Sequence, residues 1–302
     1  MQRWVLISLV VLSSTLLWPV NRWATRSGAR PEAMGIVGSL VGIPLAILLG
    51  LALGSPLLAH RALLIGAVGG VAYTVGFVLI IFYCLRIGPT GPTVTLNNMG
   101  LVWPVLIGLL WFAPAAPAAV QWFGFGCTLL ALALTGANRS RDEAVTPITA
   151  RWAGWALVGW VFAGISMSCQ YLDSQLAPNT PYAYLLASFT VALVICLGIS
   201  IVKRIVTVHE GETQQRNSLP THVEALAGVS VGAINVFSIT LTILLLGPLH
   251  VSPAIVMPVT VAGPVILMLL IGHVILKERL NSLGWTASAL GLAGVVCLSL
   301  SR

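Results

Sequence analysis

The sequence predicts an all-α membrane protein with ten transmembrane helices, arranged as two inverted five-helix repeats. Of its 302 residues, 58% are hydrophobic and only 8% are charged, and the mean hydropathy is +0.98. A soluble domain carries about a quarter charged residues, so this apolar excess has to face lipid. The apolar residues come in runs of about 20, the length that a helix needs to cross the hydrocarbon core. Motifs that recur at a constant spacing indicate the repeat.

Ten apolar runs, broken at charges or at Pro and Gly turns, define the predicted spans. Each span has to satisfy its backbone hydrogen bonds within itself, which favours helices. The first run follows one positive charge, as in a secretory signal, but no small-x-small cleavage site follows, so we interpret it as a span. The predicted spans are 4–24, 33–53, 61–84, 90–112, 118–137, 152–172, 181–202, 222–246, 251–275 and 281–300.

The two halves of the chain resemble each other. Gly-Pro recurs after 159 residues and Pro-Val after 160, in Gly88-Pro89 with Gly247-Pro248 and in Pro104-Val105 with Pro264-Val265. The predicted organisation is a first repeat over 1–137, an inter-repeat loop over 138–151 and a second repeat over 152–302. Five spans in each copy make the second copy enter the membrane from the opposite side. Inverted repeats are typical of secondary transporters, whose substrate binds near the midplane between the halves.

Motifs at both ends of the chain point to one family. The first span contains Leu17-Trp18-Pro19-Val20-Asn21 and is followed by Arg26. Near the other end, Pro264 precedes Leu276-Lys277-Glu278-Arg279-Leu280 and a Gly291-x-x-Gly294 segment. In this order and spacing the motifs resemble the drug/metabolite transporter (DMT) superfamily, and within it the EamA-like ten-helix permeases. The resemblance implies a multi-pass permease of the cell inner or plasma membrane.

Polar residues within the spans are the predicted substrate-binding residues. Adjacent helical residues point about 100° apart, so Asn97 and Asn98 cannot both face lipid, and we expect at least one to face the bundle interior. Hydrogen bonding between helices is the alternative role for them. The family resemblance favours Trp18 and Asn21, although Trp18 also suits an aromatic anchor at the membrane interface. Three further candidates lie in other spans: Tyr73, Gln170 and Asn235.

Arg22 is the charged candidate for the binding site. It lies about a turn from the end of the first predicted span, between Asn21 and Trp23. Its side chain either snorkels to the lipid headgroups or faces the cavity mouth. In the second case its planar fork would bind a carboxylate or phosphate group of the substrate.

The distribution of Lys and Arg gives one orientation, and the family resemblance gives the other. Loops after odd-numbered spans hold twelve of the fifteen Lys and Arg residues. The positive-inside rule then places these loops in the cytoplasm and both termini outside. The resemblance instead implies cytoplasmic termini, so the sequence leaves the orientation open.

The spans contain no central carboxylate. No Asp, Glu, Lys or His lies at the centre of a predicted span, and no carboxylate precedes Glu32. A carboxylate within the membrane would mark a proton or cation relay, and four-helix multidrug exporters of the DMT superfamily have a Glu in their first helix. We therefore expect facilitated diffusion or exchange of a small metabolite or drug-like solute, or coupling through another group.

Other classes of function have less support in the sequence. The five His lie at or near span ends, and no Gly-x-Ser-x-Gly, His-Glu-x-x-His or phosphate-loop pattern occurs. We therefore expect no enzyme, no catalytic residue, no metal and no cofactor. The net charge of +7 comes from cations that flank spans, so we expect no nucleic acid. Expected partners are a small-molecule solute and membrane lipids, with the chain a monomer or homodimer. A membrane-embedded enzyme and a non-transporting scaffold or receptor are the alternatives.

Overall fold

Helices are the only secondary-structure elements in the described part of the chain. The computed structural model describes residues 2–88, 90–112, 119–137, 149–177, 180–209, 220–251, 255–257, 259–261, 263–264, 267 and 282–300. The described residues between positions 255 and 267 are also helical. The helices are α1 (Gln2–Arg26), α2 (Pro31–Ala52), α3 (His60–Tyr73), α4 (Phe82–Ile87), α5 (Thr90–Asn98), α6 (Val102–Ile107), α7 (Ala119–Ala137), α8 (Ala150–Leu176), α9 (Pro181–His209), α10 (His222–Leu246) and α11 (Ser282–Leu300).

Seven helical segments of the described chain are long and apolar enough to cross a membrane. By length and composition, the structure therefore agrees with the predicted helical membrane protein. Helices α7 and α11 lie on the fifth and tenth predicted spans. Most of the ninth predicted span, 251–275, and of the predicted inter-repeat loop, 138–151, lies outside the described residues. The seven segments are Arg3–Arg26, Pro31–Ala52, His60–Ile87, Thr95–Phe112, Ala150–Leu176, Pro181–Lys203 and His222–Leu246.

The third and fourth spans are not uniform α-helices. In the third span, α3 continues as a π-helix over Thr74–Ile81 before α4. In the fourth, a 3₁₀ turn over Met99–Leu101 separates α5 from α6, and a π-helix over Gly108–Phe112 follows. Pro104 has no N–H to bond the carbonyl four residues earlier, which explains why the helix tightens just before it. The sequence predicted continuous spans here.

Small residues let several helices approach closely. Helix α2 packs against α9 and α10, α3 against α8 and α9, α1 against α10, and α7 against α11. A Cβ on Gly232 of α10 would contact the backbone of Gly38 in α2. A Cβ on Gly66 of α3 would contact the backbone of Tyr184 in α9. Membrane helices associate through such small-residue contacts, because lipid supplies no hydrophobic force to drive them together.

Ion pairs connect the helix ends on one side of the bundle. Lys203 Nζ, near the end of α9, lies 2.8 Å from Glu32 Oε1 at the start of α2. Arg30 Nε, just before α2, lies 2.8 Å from Glu224 Oε1 at the start of α10. We call this side the cationic end, where α1 and α9 finish and α2, α8 and α10 begin. The other side, where α2, α8 and α10 finish and α3 and α9 begin, is the opposite end.

Glu224 is the most fully bonded carboxylate of the cationic end. Its Oε2 accepts from the Thr221 backbone N–H at 2.8 Å, and its own N–H donates to Thr221 Oγ1, which forms a capping box at the start of α10. Arg30 donates to the same carboxylate from its backbone N–H, Nε and Nη2 at 2.8, 2.8 and 2.9 Å. The hydrogen bond to Glu224 raises the pKa of the Arg30 guanidinium. The charge of Glu224 is thus compensated although its side chain is only 2% exposed.

Candidate functional site

A cavity of about 170 Å³ lies at the middle of the bundle. It is lined by Ser14, the central residue of α1, and by Ala163, the central residue of α8. Tyr73 lies at the middle of the His60–Ile87 segment and Asn235 at the middle of α10, and both also line it. Four long helices therefore contribute their midpoints, which places the cavity at mid-depth of the membrane-spanning region.

Five of the eight predicted binding residues line this cavity: Tyr73, Asn97, Asn98, Gln170 and Asn235. Asn97 and Asn98 are both buried, so the structure brings both amides inward where the sequence required only one. Asn97 Oδ1 and Asn98 Nδ2 have no hydrogen-bond partner in the described structure. Consecutive residues at the end of α5 therefore carry a buried acceptor and a buried donor without partners. Their role in binding stays a prediction.

Two polar side chains of α10 that line the cavity are bonded to other helices. Asn235 Nδ2 donates to the Tyr73 hydroxyl at 2.9 Å, which links α10 to α3. Ser238 Oγ lies 2.9 Å from Ser14 Oγ, which links α10 to α1. These contacts fit the alternative role of helix–helix bonding. The cavity thus has two polar groups of α10 that are already paired and, at Asn97 and Asn98, amide atoms without a hydrogen-bond partner in the described structure.

Asn21 lies in a second, smaller pocket of about 30 Å³. Tyr73, Phe77 and Asn235 line both pockets, so the second is a continuation of the first. Asn21 is buried near the end of α1, and neither of its amide atoms has a hydrogen-bond partner in the described structure. Pro31, the first residue of α2, also lines this pocket. The second pocket therefore lies between the main cavity and the cationic end, and Asn21 is one of the few polar groups in its mostly apolar lining.

The predicted residues Trp18 and Arg22 cannot be placed in either pocket. Helix α1 carries their backbone, and their side chains lie outside the described part of the structure. The alternatives for Arg22, snorkelling or binding an anionic substrate group, both stay predictions.

On the other side of the cavity, apolar side chains fill the bundle. A cluster of buried residues includes Ile7 near the start of α1, Leu246 at the end of α10, and Val251 in the loop that follows. Tyr171 of α8 belongs to the same cluster and stacks edge-on against Phe112 at 5.5 Å between ring centroids. The cavity is therefore separated from the opposite end by a thick apolar layer.

The sequence analysis missed Asp173. It ended the sixth span at residue 172, whereas α8 continues to Leu176, so Asp173 lies inside the helix. Its side chain is fully buried, and neither carboxylate oxygen has a hydrogen-bond partner in the described structure. Asp173 is one helical turn beyond Gln170, on the side of the opposite end. Breaking spans at charged residues caused the error, because a buried charge near a helix end then looks like a loop residue.

None of the described residues that line the main cavity is charged. Its polar groups are hydroxyls and amides, and its remaining lining is aliphatic and aromatic. Such a surface suits a neutral or zwitterionic solute that offers hydrogen-bond donors and acceptors. No group of three His, Cys, Asp or Glu side chains that could hold a metal ion occurs among the residues described.

Comparison with known proteins shows a shared fold. No known protein family matches this sequence, and no curated protein matches it. One solved crystal structure, described without an activity, superposes with a TM-score of 0.68 at 16% sequence identity. The match covers 97% of this chain and 96% of that chain. At this identity the likeness concerns the fold alone, and it extends over nearly the whole of both chains.

Proposed function

We propose that this protein is a transporter of the cell inner or plasma membrane, which moves a small organic solute by alternating access between two inverted five-helix repeats. The observation that carries the proposal is the mid-depth cavity, whose lining comes from both halves of the chain. Transport requires a site that each side of the membrane can reach in turn, and the midplane is where such sites lie. The resemblance to EamA-like permeases of the DMT superfamily leads to the same proposal.

The pattern of helix contacts supports two related halves. In the proposal, α1, α2, α3 and α7 correspond to α8, α9, α10 and α11. The contact of α1 with α10 then corresponds to that of α8 with α3, and the contact of α2 with α10 to that of α9 with α3. The pairs α2–α9 and α7–α11 each correspond to themselves. A two-fold relation between the halves accounts for all six contacts. Helices α2 and α9 also both begin at a proline.

The cavity chemistry suggests the class of solute. The free amide atoms of Asn97 and Asn98 offer an acceptor and a donor side by side. Around them, Phe77, Met167 and Met257 supply apolar surface. An amino acid, a sugar derivative or an amphipathic drug-like molecule has the matching groups. We propose transport in preference to catalysis, because no described lining residue is a His, Asp, Glu or Lys that could serve a nucleophile as a base.

The position of the cationic end gives a proposed orientation. The described part of the bundle brings Arg30, Arg86 and Lys203 to this one end. The positive-inside rule places it in the cytoplasm. Because α1 begins at the opposite end, the N-terminus would face outward, against the family expectation. A reporter fused to either terminus, active on only one side of the membrane, tests this orientation.

Two matched threonine variants test the function. The Thr242 hydroxyl lines the cavity and donates to the Ser238 carbonyl at 2.9 Å. The Thr190 hydroxyl is exposed on α9 and donates to the Leu186 carbonyl at 2.7 Å. Thr242→Val and Thr190→Val remove the same kind of bond and keep the side-chain shape. Only Thr242→Val is expected to weaken solute binding, by roughly 5- to 10-fold, the effect of about one lost hydrogen bond.

The measurement begins with a thermal-shift screen of the purified protein against a metabolite library, because a ligand that binds the native state raises its apparent stability. Each hit is then measured for uptake into proteoliposomes with wild type, both threonine variants and Asn98→Ala. Asn98→Ala is expected to lose uptake by 10-fold or more, since it removes a free donor from the cavity wall. Uptake that is equal in all four proteins would contradict the proposal that solute passes through this cavity.

A further inference from the structure

Asp173 is a buried carboxylate outside the cavity, and solute binding in the cavity does not involve it. It lies in α8, one turn beyond the cavity residue Gln170, and its side chain is fully buried. Neither oxygen has a hydrogen-bond partner among the residues described. A buried ionised group without a partner is strongly disfavoured, and polar residues kept inside a membrane protein at such a cost generally serve its function.

Asp173 belongs to a tight junction of α3, α8 and α9. Cys169 lies one turn before Asp173 on α8. A Cβ on Gly69 of α3 would lie 3.1 Å from Cys169 Cβ and 2.5 Å from the Tyr184 hydroxyl of α9. Ala177, one turn beyond Asp173, packs with Ala62 of α3 and Ala183 of α9. Small side chains above and below Asp173 thus hold three helices in contact around it.

No described cation compensates the charge of Asp173. The titratable groups closest to it are the Cys169 thiol and the Tyr184 hydroxyl, and neither is a group that carries a positive charge. The other titratable residues of the packed elements form no described bond to Asp173. Tyr73 is bonded to Asn235 at the cavity, Tyr182 shares an apolar cluster with Cys169 and Tyr184, and His60, Arg61 and His250 are exposed.

A proton is the ligand that such a site can hold. A metal ion would need several further oxygen ligands arranged around the carboxylate. A proton needs only one lone pair of one oxygen, and it removes the charge that burial disfavours. The surroundings of Asp173 therefore select the acid form when the junction is closed and the carboxylate when water enters.

We propose that Asp173 is the proton-binding site that couples proton movement to solute transport; the coupling role rests on the transport function proposed above. In the closed junction Asp173 is a carboxylic acid. When α3, α8 and α9 separate on one side of the membrane, its O–H bond breaks and the proton passes to water. When the other side opens, through the cavity and Gln170, a proton from water binds the carboxylate again. One proton crosses in each cycle, and no oxidation or reduction is involved.

The protonation state is measured without any solute. Infrared spectra of the full-length protein in lipid, recorded over a pH titration, report the carbonyl stretch of protonated carboxylic acids. We expect wild type and Glu224→Gln to show such a band at neutral pH, and Asp173→Asn to lack it. Asp173→Asn keeps the size of the acid form, so the variant is expected to fold. A wild-type spectrum without the band, or a band that remains in Asp173→Asn, would overturn the proposal.

Coupling is measured in proteoliposomes that contain wild type or Asp173→Asn, with a mixture of amino acids, amino sugars and hexoses outside and mass spectrometry as the readout. We expect an imposed pH gradient to drive accumulation of a solute in wild type, and Asp173→Asn to lose this accumulation by 10-fold or more while it still exchanges the same solute across the membrane.

Two failures are distinguishable in this experiment. If wild type exchanges a solute but a pH gradient drives no accumulation, or if Asp173→Asn accumulates solute as wild type does, the coupling is wrong and the transport function stands. If wild type exchanges no component of the mixture, the transport function itself fails, and the coupling role fails with it. The infrared band then decides separately whether Asp173 binds a proton.

Discussion

The two ends of the bundle use the same kind of helix contact but treat charge differently. Between the midpoint of the bundle and the cationic end, Gly232 of α10 lies against Gly38 of α2 with no room for a Cβ. Toward the opposite end, Gly66 of α3 lies against Tyr184 of α9 in the same way. Ion pairs flank the first contact, and an unpaired carboxylate, Asp173, flanks the second. The packing of the two ends is therefore alike, and the difference between them is electrostatic.

Glu224 and Asp173 show what this difference means for a single carboxylate. Both are buried, at 2% and 0% exposure. Glu224 accepts bonds from Arg30 and from the Thr221 backbone, whereas Asp173 accepts none from the described residues. Partners keep Glu224 ionised and make it a structural link between α2 and α10. Without partners, Asp173 can change its charge. Burial alone does not distinguish a structural carboxylate from a functional one. The distinction lies in whether hydrogen-bond donors surround the carboxylate.

The largest expected effect comes from neutralising the two carboxylates in turn. Glu224→Gln leaves the Arg30 guanidinium facing an uncharged amide and is expected to cost roughly 3 kcal/mol, the usual effect of breaking a buried ion pair. Asp173→Asn removes no pairing and is expected to cost less than about 1 kcal/mol. Denaturation of the purified proteins in SDS titrations measures both. A loss for Asp173→Asn as large as that for Glu224→Gln would mean that Asp173 has a structural partner.

Adding a methyl group at the close contacts tests whether the two ends are packed equally. Gly232→Ala and Gly66→Ala each place a Cβ against backbone that cannot move aside, so each is expected to cost about 1–3 kcal/mol. Gly198→Ala is the control, because nothing lies within 4 Å of the added Cβ. It is expected to be neutral or slightly stabilising in its helix. The same SDS titration applies, and a markedly smaller loss at Gly66 would show looser packing at the opposite end.

The smallest expected effect comes from the ion pair between Lys203 and Glu32, in which the lysine is exposed and the carboxylate is buried. The Lys203 side chain is 62% exposed, so its bond to Glu32 is partly screened by solvent. Glu32 also lies in the first turn of α2, where backbone N–H groups favour a negative charge. Lys203→Gln is therefore expected to cost about 0.5 kcal/mol, and less in high salt. A loss of stability as large as that of Glu224→Gln, and unchanged by salt, would show that the two ion pairs stabilise the fold equally.

The sequence predicted the helices well, because run length and hydropathy are local properties. From helix geometry it predicted that at least one of Asn97 and Asn98 faces inward, and both line the cavity. The capping box at Thr221 and Glu224 also has a local sequence signal, Thr-x-x-Glu before an apolar run, which was not among the predictions above. Its partner Arg30 lies almost two hundred residues away in the sequence. Such a pairing depends on how α2 and α10 meet, which no local pattern contains.

The other differences between the predicted and the observed structure also depend on how the helices pack against each other. Asp173 was excluded because a charge conventionally ends a predicted span, although burial by α3 and α9 lets α8 continue to Leu176. The bonds that pair Asn235 with Tyr73 and Ser14 with Ser238 each join residues from different helices. Candidate residues could therefore be chosen from the sequence, but which of them retain free polar atoms depends on tertiary packing.

The π-helical segment Thr74–Ile81 would allow the third span to change its twist and length. Bonding from i to i+5 holds one more residue in a turn than α-helical bonding does. If this segment tightened to α-helix, everything beyond it would rotate by about 100° relative to α3, since each α-helical residue adds that angle. Tyr73 could keep its bond to Asn235 while α4 turned, carrying Arg86 away from the Ala29 carbonyl, 2.9 Å from its Nη2. A change at the cationic end could thus be taken up within the π-helical segment by a local exchange of hydrogen bonds, without melting the helix.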